Sequence, residues 1–480
     1  MSFPETSITV AQMVSNTGEA PVGPRRITIQ SGLIHEIIPD DGAPNHLLAL
    51  PALANAHDHG RGLASLTYGA SDQTLELWLP ALKLKPSLPV YELTALALAK
   101  MARSGVGSVV HCHNPSSDDL LGEVQAICQA ARDVGLRLAL AVPLNDRNSL
   151  SYGDPQRLLN LLDPADRDRV QQTWNPPTLP VSAQLERVET IARQCEGDLI
   201  HIQYCPRGPQ WCSNPMLEAI AAASATTGRR IHTHLLETRY QREWADAHYA
   251  QGLIHYLDSI GFLSPRLTVA HGVWLRPDEL ELLAERGVIL SVNTSSNLRL
   301  RSGLAPVAQM QSAGIAIAFG LDGMSLDDDE DALKELRLNY HLHATQQAQL
   351  APADLLTAQR HGARAVTNRD DMGILAAGHP ADMVLLNYSA FSCDVVPLAV
   401  DPLDLVLARA SNAHVEALWI DGRPVVKQGT VVGIDEPAIA ADLQARLKAK
   451  RNHVYSLQPL VQRYQWALAQ FYREGGHRQP

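Results

Sequence analysis

The amino-acid sequence predicts a (β/α)8 TIM barrel, an α/β fold, carrying a small β-sandwich assembled from the two ends of the same chain. Three observations lead there. Over residues 51–365 short apolar runs alternate with helix-period segments; residues 1–50 and 366–432 have strand texture; and histidines and acids collect at the C-terminal ends of several central runs. Strands alternating with helices form a parallel sheet covered by those helices, and in the barrel version the chemistry sits where the strands end.

Taken in order, Ser7–Ala11 and Arg26–Gln30 alternate as strands, and Ser31-Gly32 turns the second into Leu33–Ile38 as a hairpin. The run Leu47–Leu53 is expected to be the first barrel strand. Leu93, Leu96, Ala97 and Met101 then fall at helical spacing, closed by Gly105, and Gly107–His111 is the next strand. Leu121, Val124, Ile127, Cys128 and Ala131 line a second helix ended by Gly135, before the strand Leu136–Val142. The rhythm continues through Asp198–Tyr204, Arg230–His234, Leu267–His271, Val288–Asn293 and Ile315–Gly320, which completes eight strands. Beyond Arg364 come Ala381–Leu386 and Val415–Ile420, with Asp421-Gly422 turning into Arg423 and the residues after it. Chain ends of compact domains lie close together, so the terminal strands are expected to pair into one sandwich. Ala440, Leu443 and Leu447 mark a helical tail over 433–480, read as one or two surface helices.

The 480 residues carry a formal net charge of −11, which leaves no electrostatic footprint for nucleic acid or an anionic membrane. A small-molecule partner is expected. No stretch approaches the roughly 18 to 20 apolar residues of a membrane span, and Met1–Thr6 lacks the basic start of a leader, so a cytoplasmic protein is expected. The six cysteines (Cys112, Cys128, Cys195, Cys205, Cys212 and Cys393) include no C-x-x-C pair, which argues against a disulfide framework or zinc knuckle.

The stretch that organises the rest is Ala54-Asn-Ala-His57-Asp-His59-Gly60. Residues i and i+2 of a strand share a face, so His57 and His59 point the same way, and neutral imidazole is the commonest metal ligand. A pair of polar residues at a strand end is the plain alternative. Other strands also end in ligand-type residues: the fifth in His232-Thr-His234-Leu-Leu-Glu237, the sixth in His271, the eighth in Gly320-Leu-Asp322-Gly323. Barrel strand ends converge on one mouth, where His57, His59, His234 and Asp322 could surround an ion.

Several pieces together resemble the amidohydrolase superfamily, in its mononuclear cytosine/guanine deaminase and triazine hydrolase branch. They are Ala56–His59, His232–Thr238, Ala270–Leu275, Asn293–Leu300, Leu321–Gly323, His361–Ala365 and Gly373–Asp382, in order over residues 25 to 430. The resemblance implies that His57, His59, His234 and Asp322 bind one divalent metal, zinc first and iron second. A divalent ion lowers the pKa of its water from 15.7 towards about 7, which makes hydroxide available for attack. Asp322 would take the water's proton, Glu237 would protonate a ring nitrogen and later the leaving group, and His271 would orient the hydroxide and steady the tetrahedral centre. Binuclear members use a lysine on strand four. Asp198–Tyr204 has none, so one metal is expected. The resemblance also suggests a homo-oligomer, a dimer or larger.

Substrate contacts are read from weaker signals. Cys205–Ser213 resembles a guanine deaminase loop whose arginine meets a ring carbonyl, which nominates Arg207, with a surface ion pair as the alternative. Gln210, Arg61 and Trp78 are further candidates, Trp78 as a lid residue or as packing. The loop after the histidine pair is Gly60-Arg-Gly62 where guanine deaminases carry a glutamine, which speaks against guanine itself. His232 is expected to pack or to support a ligand. His111 and His113 could touch substrate or be structural, His341 and His343 sit two apart on a helix and face apart, and Asp327–Glu330 is expected to be a solvated helix start.

Three functions compete. The leading one is a metal-dependent aminohydrolase removing ammonia from a purine, pyrimidine or pterin-like ring. The second uses the same site on an amide, N-alkyl amine or halide of a triazine-like ring. The third is a non-catalytic barrel serving assembly, which predicts lost ligand positions, whereas all are present.

Overall fold

The apolar run at the start of the barrel serves two sheets. In the computed structural model, which describes residues 5–16, 18–40, 46–345, 350–396 and 400–479, Leu47–Pro51 pairs antiparallel with Met383–Asn387 and parallel with Gln12–Met13. The barrel begins only at β1 (Leu53–Asp58), parallel to β2 (Val106–Cys112). The single strand expected over Leu47–Leu53 is therefore split at Ala52, whose N–H donates to the Asp382 carbonyl at 3.1 Å. Both halves are buried, so hydrophobicity does not mark where the chain leaves one sheet for the other.

The barrel continues through β3 (Arg137–Leu144), β4 (Ile200–Pro206), β5 (Ile231–Leu235), β6 (Leu267–His271), β7 (Ile289–Val292) and β8 (Ala316–Phe319), each hydrogen-bonded to the next. At the seam between β8 and β1, Leu321 N–H donates to Asn55 Oδ1 at 3.0 Å and Asp322 N–H to the His57 carbonyl at 2.9 Å. The carboxylate of Asp58, turned away from its histidine neighbours, accepts from Gly60 N–H at 2.7 Å and Gly323 N–H at 2.8 Å. Two loops far apart in the sequence, at the ends of the first and last barrel strands, are thereby fixed against each other.

The terminal segments form two sheets. One holds Thr6–Val10, Arg25–Gln30 and Leu33–Pro39; the other runs in the order Thr430–Val431, Arg423–Lys427, Val415–Ile420, Met383–Asn387, Leu47–Pro51, Gln12–Met13. Val10, Ile27, Ile29 and Ile34 pack on Ala49, Met383 and Leu385 between them. Both expected hairpins are present, and their turns touch: a Cβ on Gly422, at φ +69°, would lie 2.9 Å from the Gly32 Cα. Arg137 at the foot of β3 reaches Asp382 with two hydrogen bonds, 2.7 and 3.1 Å, joining barrel and sandwich.

The C-terminal region is two helices, Glu436–Ala449 and Arg451–Arg473. The second is a wall, in contrast to the expected surface tail. It buries Leu460, Val461, Tyr464, Leu468, Phe471 and Tyr472, and Gln465 Nε2 donates to the Leu77 carbonyl at 2.7 Å in the helix Leu75–Ala81. Among the described residues no helix is long and apolar enough to cross a membrane.

Candidate metal centre and active site

The strand ends bring together three imidazoles and one carboxylate. His57 Nε2 and His59 Nε2 lie 3.3 and 3.2 Å from Asp322 Oδ1, and His234 Nε2 lies 3.4 Å from His59 Nε2. The opposite ring nitrogens are all engaged. His59 Nδ1 meets the Cys112 carbonyl at 2.9 Å, His234 Nδ1 the Arg207 carbonyl at 2.7 Å, and His57 Nδ1 the Nε2 of His232 at 2.9 Å. An Nδ1–H given to a carbonyl fixes the tautomer with a bare Nε2 facing inward, so His59 and His234 present two acceptors to each other. A cation between them resolves that contact.

His57 Nε2 and Asp322 Oδ1 are buried without a hydrogen-bond partner among the described residues, a costly arrangement in a protein interior. Spacings of 3.2–3.4 Å match the roughly 3.3 Å between neighbouring ligands of a tetrahedral ion with bonds near 2.0–2.1 Å. The donor set of nitrogens and one carboxylate suits a divalent ion. Burial pushes the His57 imidazole down to about 4 and holds those of His59 and His234 below their ordinary value, so all three are neutral as a metal requires.

The backbone at these strand ends is unusual. Leu236, His271 and Asp322 have φ of 49°, 74° and 58°, the left-handed region that side chains other than glycine rarely occupy. At His271 and Asp322 this turn aims the side chain into the mouth. His271 Nδ1 lies 2.9 Å from Asn297 Oδ1, and its Nε2 is 3.7 Å from Glu237 Oε2 and 4.0 Å from Asp322 Oδ2. Asp322 Oδ2 in turn accepts from Ser296 Oγ at 2.6 Å. Ser296 and Asn297, on the short helix Thr294–Arg299, carry no role in the sequence reading; their only signal there is the Asn293–Leu300 motif.

Glu237 is 2% exposed. Burial pushes its carboxyl up to about 7, His271 opposes this, and Asp322 and Glu76 add to it. Thr238 caps the helix Arg239–His248 and donates to Glu76 Oε1 at 2.5 Å, so a second buried acid stands behind Glu237.

The substrate-contact candidates are scattered around this centre. Arg61 Nη1 donates to the Asp322 carbonyl, and the guanidinium lies 5.1 Å from the centroid of the Trp78 ring. Trp78 itself is 1% exposed in the helix Leu75–Ala81, packed in the wall of the mouth. Arg207 follows β4, its carbonyl holding His234, while Gln210 is buried with its amide folded back on Gly208. His113 is tied to Glu123 at 2.6 Å, and His111 packs where a Cβ on Gly60 would lie 2.2 Å from its ring. His343 Nε2 meets Thr294 Oγ1 at 3.0 Å, away from the ion position. Asp327 and Asp329 pair with Lys334, both at 2.7 Å, but Glu330 is buried and so departs from the solvated helix start expected for it.

The amidohydrolase family profile matches residues 48–425. The 5'-deoxyadenosine deaminase of Methanopyrus kandleri is 26% identical over 405 residues, 81% of this chain and 84% of that protein. The 8-oxoguanine deaminase of Pseudomonas aeruginosa is 28% identical over 417 residues, covering 85% and 88%. Among solved structures, a zinc-bound adenosine deaminase from Xanthomonas campestris superposes with a TM-score of 0.75 at 24% identity, covering 92% of this chain and 98% of that one. The zinc complex of atrazine chlorohydrolase from Arthrobacter aurescens gives 0.76 at 21% identity, covering 92% and 99%.

Proposed function

The chain belongs to the amidohydrolase family, and from that premise we propose a hydrolase of carbon–nitrogen bonds that removes ammonia from an amino-substituted nitrogen heterocycle of the purine, pyrimidine or pterin kind. One divalent ion, zinc, would be held by His57, His59, His234 and Asp322. The observation that carries this reading is the meeting of bare, buried nitrogens and one carboxylate oxygen at 3.2–3.4 Å, with Glu237 and His271 alongside. Relatives named as deaminases of 5'-deoxyadenosine and 8-oxoguanine support the substrate class.

A divalent ion held by these four residues would supply Lewis-acid chemistry, lowering the pKa of water towards about 7. Asp322, its Oδ2 anchored by Ser296, keeps Oδ1 turned inward and takes the proton from the attacking water. Glu237, raised to about 7, is protonated through the lower part of the neutral range. It gives that proton to the ring nitrogen beside the attacked carbon and recovers one from the hydroxyl of the tetrahedral adduct, while the proton taken up by Asp322 leaves on the departing amine. His271, braced by Asn297, steers the attacking oxygen and steadies the charge that grows at the tetrahedral carbon. With Glu237 2% and His271 1% exposed, these transfers occur out of bulk water.

The test is ammonia release from a panel of aminopurines, aminopyrimidines, pterins and aminotriazines by zinc-loaded protein. Turnover of at least one panel member, lost in Asp322→Asn, is expected. Release of chloride or an alkylamine without ammonia would transfer the site to the second leaving-group class, and no product from any compound would overturn the enzyme reading.

A further inference from the structure

We infer that Ser302, braced by Trp274, is a positioning residue that reserves one oxygen of the Glu237 carboxyl and leaves the other to carry the proton to the substrate. The inference deepens the proposal above and rests on it for the part Glu237 plays. A carboxyl has two oxygens, and one free to flip presents either. Among the described residues the Glu237 side chain receives one hydrogen bond, from Ser302 Oγ to Oε1 at 3.3 Å. Oε2 instead lies 3.7 Å from His271 Nε2, which is itself 4.0 Å from Asp322 Oδ2. The ion side of the mouth therefore meets Oε2.

A closed circuit of hydrogen bonds holds this arrangement. Trp274 N–H donates to the Leu236 carbonyl at 2.9 Å, just before Glu237, and Trp274 Nε1–H donates to the Ser302 carbonyl at 2.8 Å. Ser302 Oγ then returns to Glu237. One tryptophan thus joins the loops that follow β5, β6 and β7. Ser302 is tied from its other side as well, its N–H donating at 2.8 Å to the carbonyl of Asn297, the residue whose side chain braces His271. Arg301 before it has a φ of 56°, a left-handed turn that brings the chain back from the helix Thr294–Arg299. The Glu237 backbone is fixed too, its N–H donating to Gln241 Oε1 at 2.8 Å. Ser302 is 3% exposed and Glu237 2%, so bulk water does not compete for Oε1. The segment 296–302 touches each proton-handling group once: Ser296 on Asp322 Oδ2, Asn297 on His271 Nδ1, Ser302 on Glu237 Oε1. In each case one atom is occupied and its partner is left for chemistry.

The proton transfer makes use of that choice. As the O–H bond on Oε2 breaks and an N–H bond forms on the ring, negative charge spreads onto Oε1. A hydroxyl bound to a carboxylate sits closer and holds more strongly than one bound to a neutral acid, at about 2.5–2.7 Å, so the Ser302 contact tightens as the proton leaves. An interaction that gains strength during the transfer lowers the barrier without tightening substrate binding. His271, Asp322 and Glu76 are the other titratable groups acting on this carboxyl, and none of them donates a hydrogen bond to Oε1.

The test is infrared spectroscopy of the zinc-loaded full chain at pH 5, where the Glu237 carboxyl band is the one missing from Glu237→Gln. A donor on Oε1 lowers the C=O stretch, so the band should move to higher frequency in Ser302→Ala and return in Ser302→Thr. Its titration midpoint should rise by about 0.5–1 in pH in Ser302→Ala, because the lost donor favoured the ionised form. With a panel compound that releases ammonia, Ser302→Ala should lower kcat about tenfold while KM stays within about twofold. Trp274→Phe, which removes the indole N–H behind Ser302, should lower kcat in the same sense. If no panel compound releases ammonia the spectra still decide, since they need no turnover. An unmoved band in Ser302→Ala, an equal shift in Ser302→Thr, or an unchanged kcat in Ser302→Ala would overturn the inference.

Discussion

Glu237 is where burial, charge and chemistry meet most closely. Its carboxyl sits at about 7 because it is desolvated, with Asp322 and Glu76 adding to the effect against the opposing pull of His271. An acid raised from 4.5 to about 7 holds a proton in the folded chain that the unfolded chain has lost, so it stabilises the fold at low pH and that contribution disappears as pH rises through 7. In metal-free protein, Glu237→Gln should therefore flatten the fall in melting temperature between pH 5 and 8. In zinc-loaded protein the same variant should lose about 10²- to 10⁴-fold in kcat with zinc content unchanged; elemental analysis with steady-state kinetics checks both. An active variant would remove Glu237 from proton transfer. At this scale the sequence exposes the histidine pair, His234, Glu237, His271 and Asp322, because strand ends in a barrel share one mouth. Ser296 and Asn297 are not legible, since a hydroxyl and an amide in a six-residue helix acquire meaning only from what they touch.

The element that most changes the picture is the helix Arg451–Arg473. Its apolar positions announce that something is covered, and sequence alone does not name the partner. Tyr464 OH donates to the Leu150 carbonyl at 2.8 Å, and Tyr472 OH accepts from Tyr152 N–H at 3.3 Å. Behind the Glu76 carboxyl these side chains close a cavity of about 50 Å³ with Trp174 and Trp211. The helix thus backs the wall that carries Glu76 and Trp78. Phe471 is fully buried, so Phe471→Ala should cost about 3–5 kcal/mol in urea unfolding. It should also lower kcat/KM by loosening the Leu75–Ala81 helix; unchanged kinetics with lowered stability would detach this helix from the site. The split of Leu47–Leu53 between two sheets escapes periodicity for a related reason. Strands covered on both faces have no polar side to mark a boundary.

On the scale of the molecule, barrel and sandwich are one unit held at a definite place. The Arg137–Asp382 pair is buried on both sides, and Asp382 also accepts from Asp421 N–H at 2.7 Å, so one carboxylate clamps the foot of β3 to a sandwich hairpin. Asp382→Asn leaves the buried Arg137 guanidinium only the half-exposed Asp421 carboxylate at 3.5 Å and should cost about 3 kcal/mol, read by denaturant unfolding, with zinc stoichiometry intact in the folded fraction. The barrel-plus-sandwich plan was legible because both ends of the chain alternate with period two while the middle does not. The proposed chemistry depends on a divalent ion at the opposite end of the barrel from that clamp. A second group of ligand-type atoms, His57, Cys112 and His232, lies behind it, with Cys112 Sγ 3.6 Å from His57 Nδ1. X-ray absorption at the zinc edge of protein loaded with one equivalent separates the two positions. The structure predicts only nitrogen and oxygen neighbours at about 2.0–2.2 Å, with a coordination signal weakened in His234→Ala, while a sulfur neighbour at about 2.3 Å would contradict it.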